Sequence, residues 1–412
     1  MRVAFVLQDL QLSGGVGVVV EHAAQLRRHH GIDAQIVLSR PEEHPRWGYR
    51  GLGDVPVLRF EQAMAADWDI GVATWWQTTS TLFHLRAERY VYFIQALEDS
   101  AYPAGSPERA AAALTTALPL RFVTEARWIA EIVEDLQPGA RALYVRNGIP
   151  KDIFRSPPVP APAPEAEPLR VVLEGSRGFA LKGVDDALAS VAAMREPAHV
   201  TWVSPHHDAP PEGVDRVLSG LTHREMAALF AESHVILKLS RAEGMYGPPL
   251  EAFHMGATVV TTAVTGHDEY VTHGVNGLIV GWDDIPGTAR ALDLLARDRR
   301  LLHELRWGAL RTARAWPDWR ESSQRLALAL RRVQAEPPPS ARGAGLRLAS
   351  EFATVQAERQ HADKALEIER ADKVDLFNQK AWIYAVRVRR ELHRLRSLKG
   401  RARGLVKRLL RR

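Results

Sequence analysis

The chain has 412 residues, 46% hydrophobic and 25% charged, a soluble globular composition too long for one ordinary core. It contains no cysteine, which excludes disulfides, thiolate nucleophiles and Cys-bound zinc. The net charge of +5 hides an asymmetry: residues 387–412 carry twelve Lys/Arg against Glu391 alone, a local +11 that leaves about −6 for the rest. Basicity belongs to a tail, so the body carries no nucleic-acid footprint.

Met1-Arg2 leads straight into VAFVL, too short for a signal segment and without a cleavage site, and no run of about 18 apolar residues could span a bilayer. A cytosolic protein is expected. Over residues 1–154, the runs RVAFVLQ (2–8), AQIVL (34–38), IGVATW (70–75), YVYFIQ (90–95), RFVT (121–124) and ALYVRN (142–147) read as buried strands. Helical periodicity lies between several of them, as at 16–30 and 126–135. That alternation predicts a parallel, doubly wound α/β sheet.

RSPPVPAPAPEAEP (155–168) has six prolines in 14 residues and can form neither helix nor ladder, which makes it a semi-rigid linker. Over 169–336 the rhythm restarts with LRVVLEG (169–175), HVTWVS (199–204), VDRVLS (214–219), HVILKLS (234–240), TVVTTAV (258–264) and GLIV (277–280). Two Rossmann-like domains facing a ligand cleft are expected, the last helix being free to return to the first domain. PPPSARGAG (337–345) is a second breaker. Beyond it, 346–412 reads as a basic helical extension whose Leu395, Leu398, Ala402, Leu405, Val406, Leu409 and Leu410 form one apolar stripe.

Three loops follow strands of the second half. VILKLSRAEGMYGPPLEAFHMG reads as strand, loop and helix, with Pro248 and Pro249 fitting a first helical turn, Glu243 in the loop and Glu251 about one turn inside. Helix-dipole compensation plus a solvated glutamate would explain the two acids as well as a ligand does. LRVVLEGSRGFALKGVDDALASV puts Arg177 and Lys182 beside a helix start, the makings of a diphosphate site, although two solvated cations fit the same pattern. TGHDEYVTHGVNG (265–277) adds the amides of Gly266 and His267 at the same edge. The three together describe a site for a phosphorylated ligand, with carboxylates left to hold hydroxyls.

The E-x7-E pair Glu243/Glu251, the Arg177/Lys182 pair and the ending VTGHDEYVTHGVNGLIV resemble the GT-B glycosyltransferases of family 4. The similarity runs over roughly 1–335, strongest at 169–285, and VRNGIPKDIF (145–154) resembles the end of that family's N-terminal domain. YFIQALEDSAYPAGS (92–106) is similar to bacterial rhamnosyltransferases of cell-surface glycans. The resemblance implies a retaining enzyme that needs no metal and moves a sugar, rhamnose or mannose in type, from a nucleotide-sugar donor to a surface polysaccharide or lipid-linked glycan. Carried over by position, Glu243 contacts the sugar, Arg177 and Lys182 hold the diphosphate, and Glu251 holds the ribose. Gly244, Gly247, Leu250, Gly266, His267 and Gly15 line the donor, and Gly14, Gln95 and Trp75 face the acceptor.

Two positions depart from the family pattern. Tyr246 stands where many members have a second glycine, and YVYFIQ ends in Gln95 where many have a histidine. A neutral amide is no general base, so none is assigned. The loop LSGGVGVVVEHAAQL could be a dinucleotide fingerprint with Arg40 as an NADP-type contact, but Val20 takes the third glycine's place. Asp67-Trp68-Asp69 lies at the wrong edge of the sheet for a metal site and reads as a turn leading into a strand. His206-His207-Asp208 lacks a fourth ligand at metal spacing. A glycosidase pair would not need the Arg/Lys loop, and Trp75-Trp76 serve a core as well as an acceptor sugar. A nucleotide-sugar epimerase or hydrolase, and a non-catalytic scaffold acting through the C-terminal helix, remain alternatives. The tail has three readings: 387–412 lies on an anionic inner membrane leaflet, 346–386 pairs with a partner or a second copy, or the segment is a solvated extension.

Overall fold

Apolar runs of four to nine residues alternating with amphipathic segments produce two parallel sheets in the computed structural model, which describes residues 1–41, 47–137, 139, 141–206 and 208–337, with 347, 351, 364–371 and 373–374 beyond. The first half holds β1 (Arg2–Leu7), α1 (Gly14–His30), β2 (Asp33–Leu38), β3 (Val57–Arg59), α2 (Phe60–Met64) and β4 (Asp67–Ala73). It continues with α3 (Trp76–Leu82), β5 (Arg86–Ile94), α4 (Pro107–Leu114), β6 (Arg121–Thr124), α5 (Arg127–Leu136) and β7 (Ala142–Tyr144). Its strand order is β3-β2-β1-β4-β5-β6-β7.

The second half holds β8 (Leu169–Glu174), α6 (Val184–Ala192), β9 (Ala198–Val203), β10 (Arg216–Leu218), α7 (His223–Glu232), β11 (Val235–Lys238) and α8 (Gly247–His254). It closes with β12 (Thr258–Thr262), β13 (Gly277–Val280), α9 (Ile285–Arg297), α10 (Arg299–Ala315) and α11 (Trp319–Ala335). Its order is β10-β9-β8-β11-β12-β13. Each sheet reverses its winding once, between β1 and β4 and between β8 and β11. Loops diverge at those points and leave a crevice at the C-terminal strand ends.

Every expected strand is present, and β3 is additional. It adds to β2 as a three-residue edge strand, too short to show a period of two. β4 begins three residues earlier than expected. Asp67 and Asp69, read as part of a turn, lie inside it, where Asp69 accepts the Arg2 backbone N–H at 2.5 Å and Asp67 meets Arg86 at 3.2 Å. Both acids are spent on pairing at the N-terminal edge of the sheet.

α11 lies on the first half. Its Leu326, Leu330 and Val333 recur at four and three residues and enter one core with Val19, Val20, Ala23 and Leu26 of α1. A hydrogen bond of 2.9 Å joins His22 to Ser323 inside that contact. The proline linker is strapped to α10 by arginines. Extended proline-rich chain leaves its carbonyls without partners, and here the buried Arg306 donates to Ala161 O at 2.7 Å and to Gly256 O at 2.6 Å. Arg314 donates to both Pro157 O and Pro158 O at 2.7 Å.

Residues 1–349 form one compact unit and 350–412 another. In the second, the described residues 364–371 are helical and exposed, and Lys373 pairs with Glu369 at 2.6 Å. The expected basic stripe of 387–412 lies outside the described residues. Among those described, no helix is long and apolar enough to cross a membrane.

Arg306→Ala strands two carbonyls that now accept from a charged donor, so it is expected to cost about 2–4 kcal/mol. A lower urea midpoint measures the loss; the exposed Arg314→Ala should cost under about 1 kcal/mol.

Candidate functional site

At the β8/β11 crevice the strand ends bring charges together. Lys238, the last residue of β11, is 2% exposed, and its ammonium is held by the Glu174 carboxylate at the end of β8. Burial opposes the Lys238 charge, but the carboxylates of Glu174, Glu243 and Glu251 outweigh it and keep its pKa above the usual lysine value. Burial likewise works against the Glu174 charge, and Lys238 and Lys182 reverse the balance, leaving that pKa lowered.

Above this pair, Lys182 Nζ sits 2.9 and 3.0 Å from the two oxygens of Glu243. The loop carrying Glu243 is clamped by Thr265, whose hydroxyl accepts the Glu243 N–H at 3.0 Å and donates to Glu243 O at 2.7 Å. Glu251, inside α8, hydrogen-bonds to no described residue. Burial and the Glu174 carboxylate push its pKa up to about 8, against the pull of Lys238.

The first half meets this loop directly. A Cβ on Gly244 would lie 1.7 Å from Gln95 O and 3.1 Å from Glu125 Oε1, so only glycine permits the approach. Trp128 Nε1 donates to Gly244 O at 3.0 Å, and the Met245 N–H donates to Glu125 Oε1 at 3.1 Å. Gly266, at φ +80°, passes so close to Gly244 that a Cβ there would meet Gly244 O at 2.2 Å. One strand end further on, Glu269 accepts from the Arg127 backbone N–H at the start of α5 and from Tyr144 OH at 2.6 Å. A Cβ on Gly15 would lie 3.3 Å from the Gln95 amide.

Glu243, Lys182, Glu251, Gly244, Gly266, Gln95 and Gly15 therefore gather around one crevice. Cβ atoms on Gly14 and Gly247 would meet nothing within 4 Å, so both border open space. Other expected residues stand differently. Arg177 is tied to Asp185 of α6 at 2.7 Å, with both side chains more than half exposed, and does not touch the Lys182–Glu243 pair. The Leu250 side chain is buried in the core. The His267 N–H is used by Val264 O at 3.1 Å, which leaves it no proton for a phosphate.

Tyr246 turns inward. It is fully buried, with its hydroxyl 2.7 Å from Lys238 O and 2.9 Å from Thr261 Oγ1, and it pins the start of α8 to the sheet. Trp76 is buried with its indole on Tyr102 OH at 2.9 Å, while Trp75 is half-buried at the start of α3. His206 and Asp208 both bond to Ser204, as loop polarity requires; His207 lies outside the described residues.

Sequence reasoning missed Glu174, Lys238, Glu125 and Thr265. A signal was available for three of them: VVLEG, VILKLS and RFVTE each set one charge at the end of an apolar strand. A charge there is either paired or facing a ligand.

Residues 170–298 match the model of the family described as glycosyl transferases group 1. None of the curated proteins matches the chain. Among solved structures, Anabaena Alr3699/HepE in complex with UDP and glucose is 16% identical, with a TM-score of 0.63 over 81% of this chain and 100% of that one. Sucrose-phosphate synthase from Thermosynechococcus elongatus is 16% identical, with a TM-score of 0.64 over 81% and 99%. The fold is GT-B. The lipopolysaccharide outer core galactosyltransferase WaaB in its apo form shares it at 11% identity, with a TM-score of 0.60 over 80% and 99%. The family match falls wholly in the second half of this GT-B fold, and it contains Lys182, Glu243 and Glu251.

Burial also shapes stability. It raises Glu98 to about 8, against hydrogen bonds from the Trp76 amide and Tyr92, and Glu125 to about 7. It lowers His22 and His234 to about 3 and His254 to about 4. Between about pH 4.5 and 6.5 the unfolded histidines bind protons that the folded ones refuse, while the folded Glu98, Glu125 and Glu251 keep protons that the unfolded carboxyls have released, and the two effects largely offset. Above that point only the raised carboxyls differ: the folded state keeps their protons, and stability falls as pH climbs through 7 and 8. Calorimetry should show the melting temperature falling from about pH 6.5, roughly the unperturbed histidine pKa, towards pH 8. Glu98→Gln should shrink the decline towards pH 8, and an unchanged decline would refute the burial account.

Proposed function

We propose that this chain is a retaining glycosyltransferase that needs no metal. It moves a sugar from a nucleoside-diphosphate donor to a bacterial surface polysaccharide or lipid-linked glycan. The observation that carries the reading is the Lys182–Glu243 contact at the crevice, 2.9 Å long, with the unbonded Glu251 carboxyl close by. The donor diphosphate draws the Lys182 ammonium to itself and frees Glu243 to accept from a sugar hydroxyl. Glu251, largely protonated near neutral pH, can both donate to and accept from the ribose hydroxyls. As the glycosidic bond breaks, negative charge grows on the leaving diphosphate, and an ammonium fixed there stabilises that state more than the ground state. Arg177 joins only after leaving Asp185. Gln95, a neutral amide, takes no proton, so in departure and attack on one face of the sugar the acceptor hydroxyl passes its proton to the departing diphosphate oxygen.

The glycosyl transferases group 1 match over 170–298 and the UDP and glucose bound to the Anabaena protein support this reading. The sugar is proposed to be of rhamnose or mannose type, with a uridine-linked hexose as the competing choice on the Anabaena precedent. Turnover without any acceptor would instead mark a hydrolase or epimerase. A thermal-shift screen of UDP, GDP, dTDP and their sugar conjugates tests both points, since a ligand at 100 times its Kd adds about 2.7 kcal/mol of stability. At least one nucleotide should raise the melting temperature, and Lys182→Ala should abolish that rise. No response to any of them in the wild type refutes the function. A guanosine or thymidine preference supports the proposed sugar, and a uridine preference removes it. With the selected donor, Lys182→Ala and Glu251→Ala should each lower turnover by about 10² or more.

The protein is further proposed to be cytoplasmic and to sit on the inner face of the plasma membrane through residues 387–412, whose net +11 suits anionic lipid. Deleting 387–412 should release it from phosphatidylserine-containing vesicles in a flotation assay while sparing transfer to a soluble acceptor. Equal vesicle binding by the truncated chain discards the membrane role and leaves self-association through 346–386.

A further inference from the structure

Glu125 is a buried carboxylate, 6% exposed, with no cation paired to it among the described residues. An isolated charge in such a place is costly unless hydrogen bonds hold it. Two do. Asn147 Nδ2 donates to Oε2 at 2.6 Å from within its own half, and the Met245 N–H donates to Oε1 at 3.1 Å from the other half. Asn147 is itself anchored, its carbonyl accepting from Trp316 Nε1 at 2.8 Å. The donor from the second half stands two residues after Glu243.

We propose that Glu125 is a positioning residue for the Glu243 loop: by receiving the Met245 N–H it sets Glu243 over the donor only when the two halves are closed. This rests on the reading of Glu243 as a donor contact. The loop is held from both sides. On its own half Thr265 clamps the Glu243 backbone, and from the opposite half Glu125 and Trp128 take Met245 N–H and Gly244 O. Thr265 fixes where the loop leaves the sheet, and Glu125 fixes how far it leans across the crevice. Closing the halves and placing the acid thereby become one event. The Glu125 and Glu243 carboxylates also repel, and this adds to burial in raising the Glu125 pKa to about 7.

Glu125→Ala and Glu125→Gln in the full chain test the proposal. Glutamine can still accept the Met245 N–H through its amide oxygen once the Asn147 amide turns over. With the sugar nucleotide selected by thermal shift, Glu125→Ala should lower kcat by about 50-fold or more and leave KM and nucleoside-diphosphate affinity within about threefold, while Glu125→Gln recovers most of the rate. A kcat for Glu125→Ala within about threefold of wild type overturns the proposal, as does equal loss in both variants together with a fallen melting temperature. Hydrogen exchange decides the matter without any substrate: the Met245 amide should lose protection in Glu125→Ala and keep it in Glu125→Gln. Unchanged Met245 protection in Glu125→Ala overturns the positioning role. If the wild type turns over no sugar nucleotide, the proposed function fails, and the exchange result still answers for Glu125.

Discussion

Everything in the crevice depends on one close approach. The Cα of Gly244 lies so near the carbonyl of Gln95 that no side chain fits between them. Because the loop is bare at that point, its backbone can bond across to Trp128 and Glu125, and Glu243 is carried up to the first half. Gly266 nests against the same residue from behind, at a positive φ that another residue would find strained. The chain reaches across the two halves with backbone, and it reserves side chains for charge.

Those charges are layered. The lower layer, Lys238 with Glu174, is out of reach of solvent at its ammonium end and is best understood as a fixed counter-charge beneath the crevice. The upper layer, Lys182 with Glu243, is more exposed, with 30% and 13% of the side chains accessible, and can part at smaller desolvation cost. Glu251 sits between attractive and repulsive neighbours and is left close to neutral. A buried lysine and a more exposed one are two different devices, although both are cations near a carboxylate. The first offsets the mutual repulsion of Glu174, Glu243 and Glu251. The second is free to change partners.

Much of this was legible in the sequence because parallel sheets bury both faces and so write their strands as plain apolar runs. The strand, loop and helix grammar around Glu243 and Glu251 is likewise a local property, read from two prolines and a preceding strand. The misses were of three physical kinds. β3 has too few residues to show a pattern. Tyr246 looked like a change in the ligand loop because its number falls there, yet its ring turns into the core to bond Lys238 O and Thr261, and the direction of a side chain is set by tertiary packing. Arg177 stands five residues from Lys182 in sequence and apart from it in space, since Asp185 in the first turn of α6 offers it a partner first. Glu125 and Met245 lie 120 positions apart, and no local pattern could have joined them.

The raised carboxyls connect these points to the cost of the site. Burial raises the pKa of Glu98, Glu125 and Glu251, and each therefore weakens the fold as pH climbs from about 4.5 towards its folded value. A fold selected for stability alone would replace them with glutamine or leucine. Glu98 caps the amide of Trp76 at the start of α3, close to the Gln95 end of β5, while Glu125 and Glu251 flank the crevice from opposite halves. Two of the three destabilising acids thus border the cleft, and the third braces the segment that carries Gln95. Strain of this kind persists where function overrides packing. Its distribution agrees with the crevice that the proposed function uses.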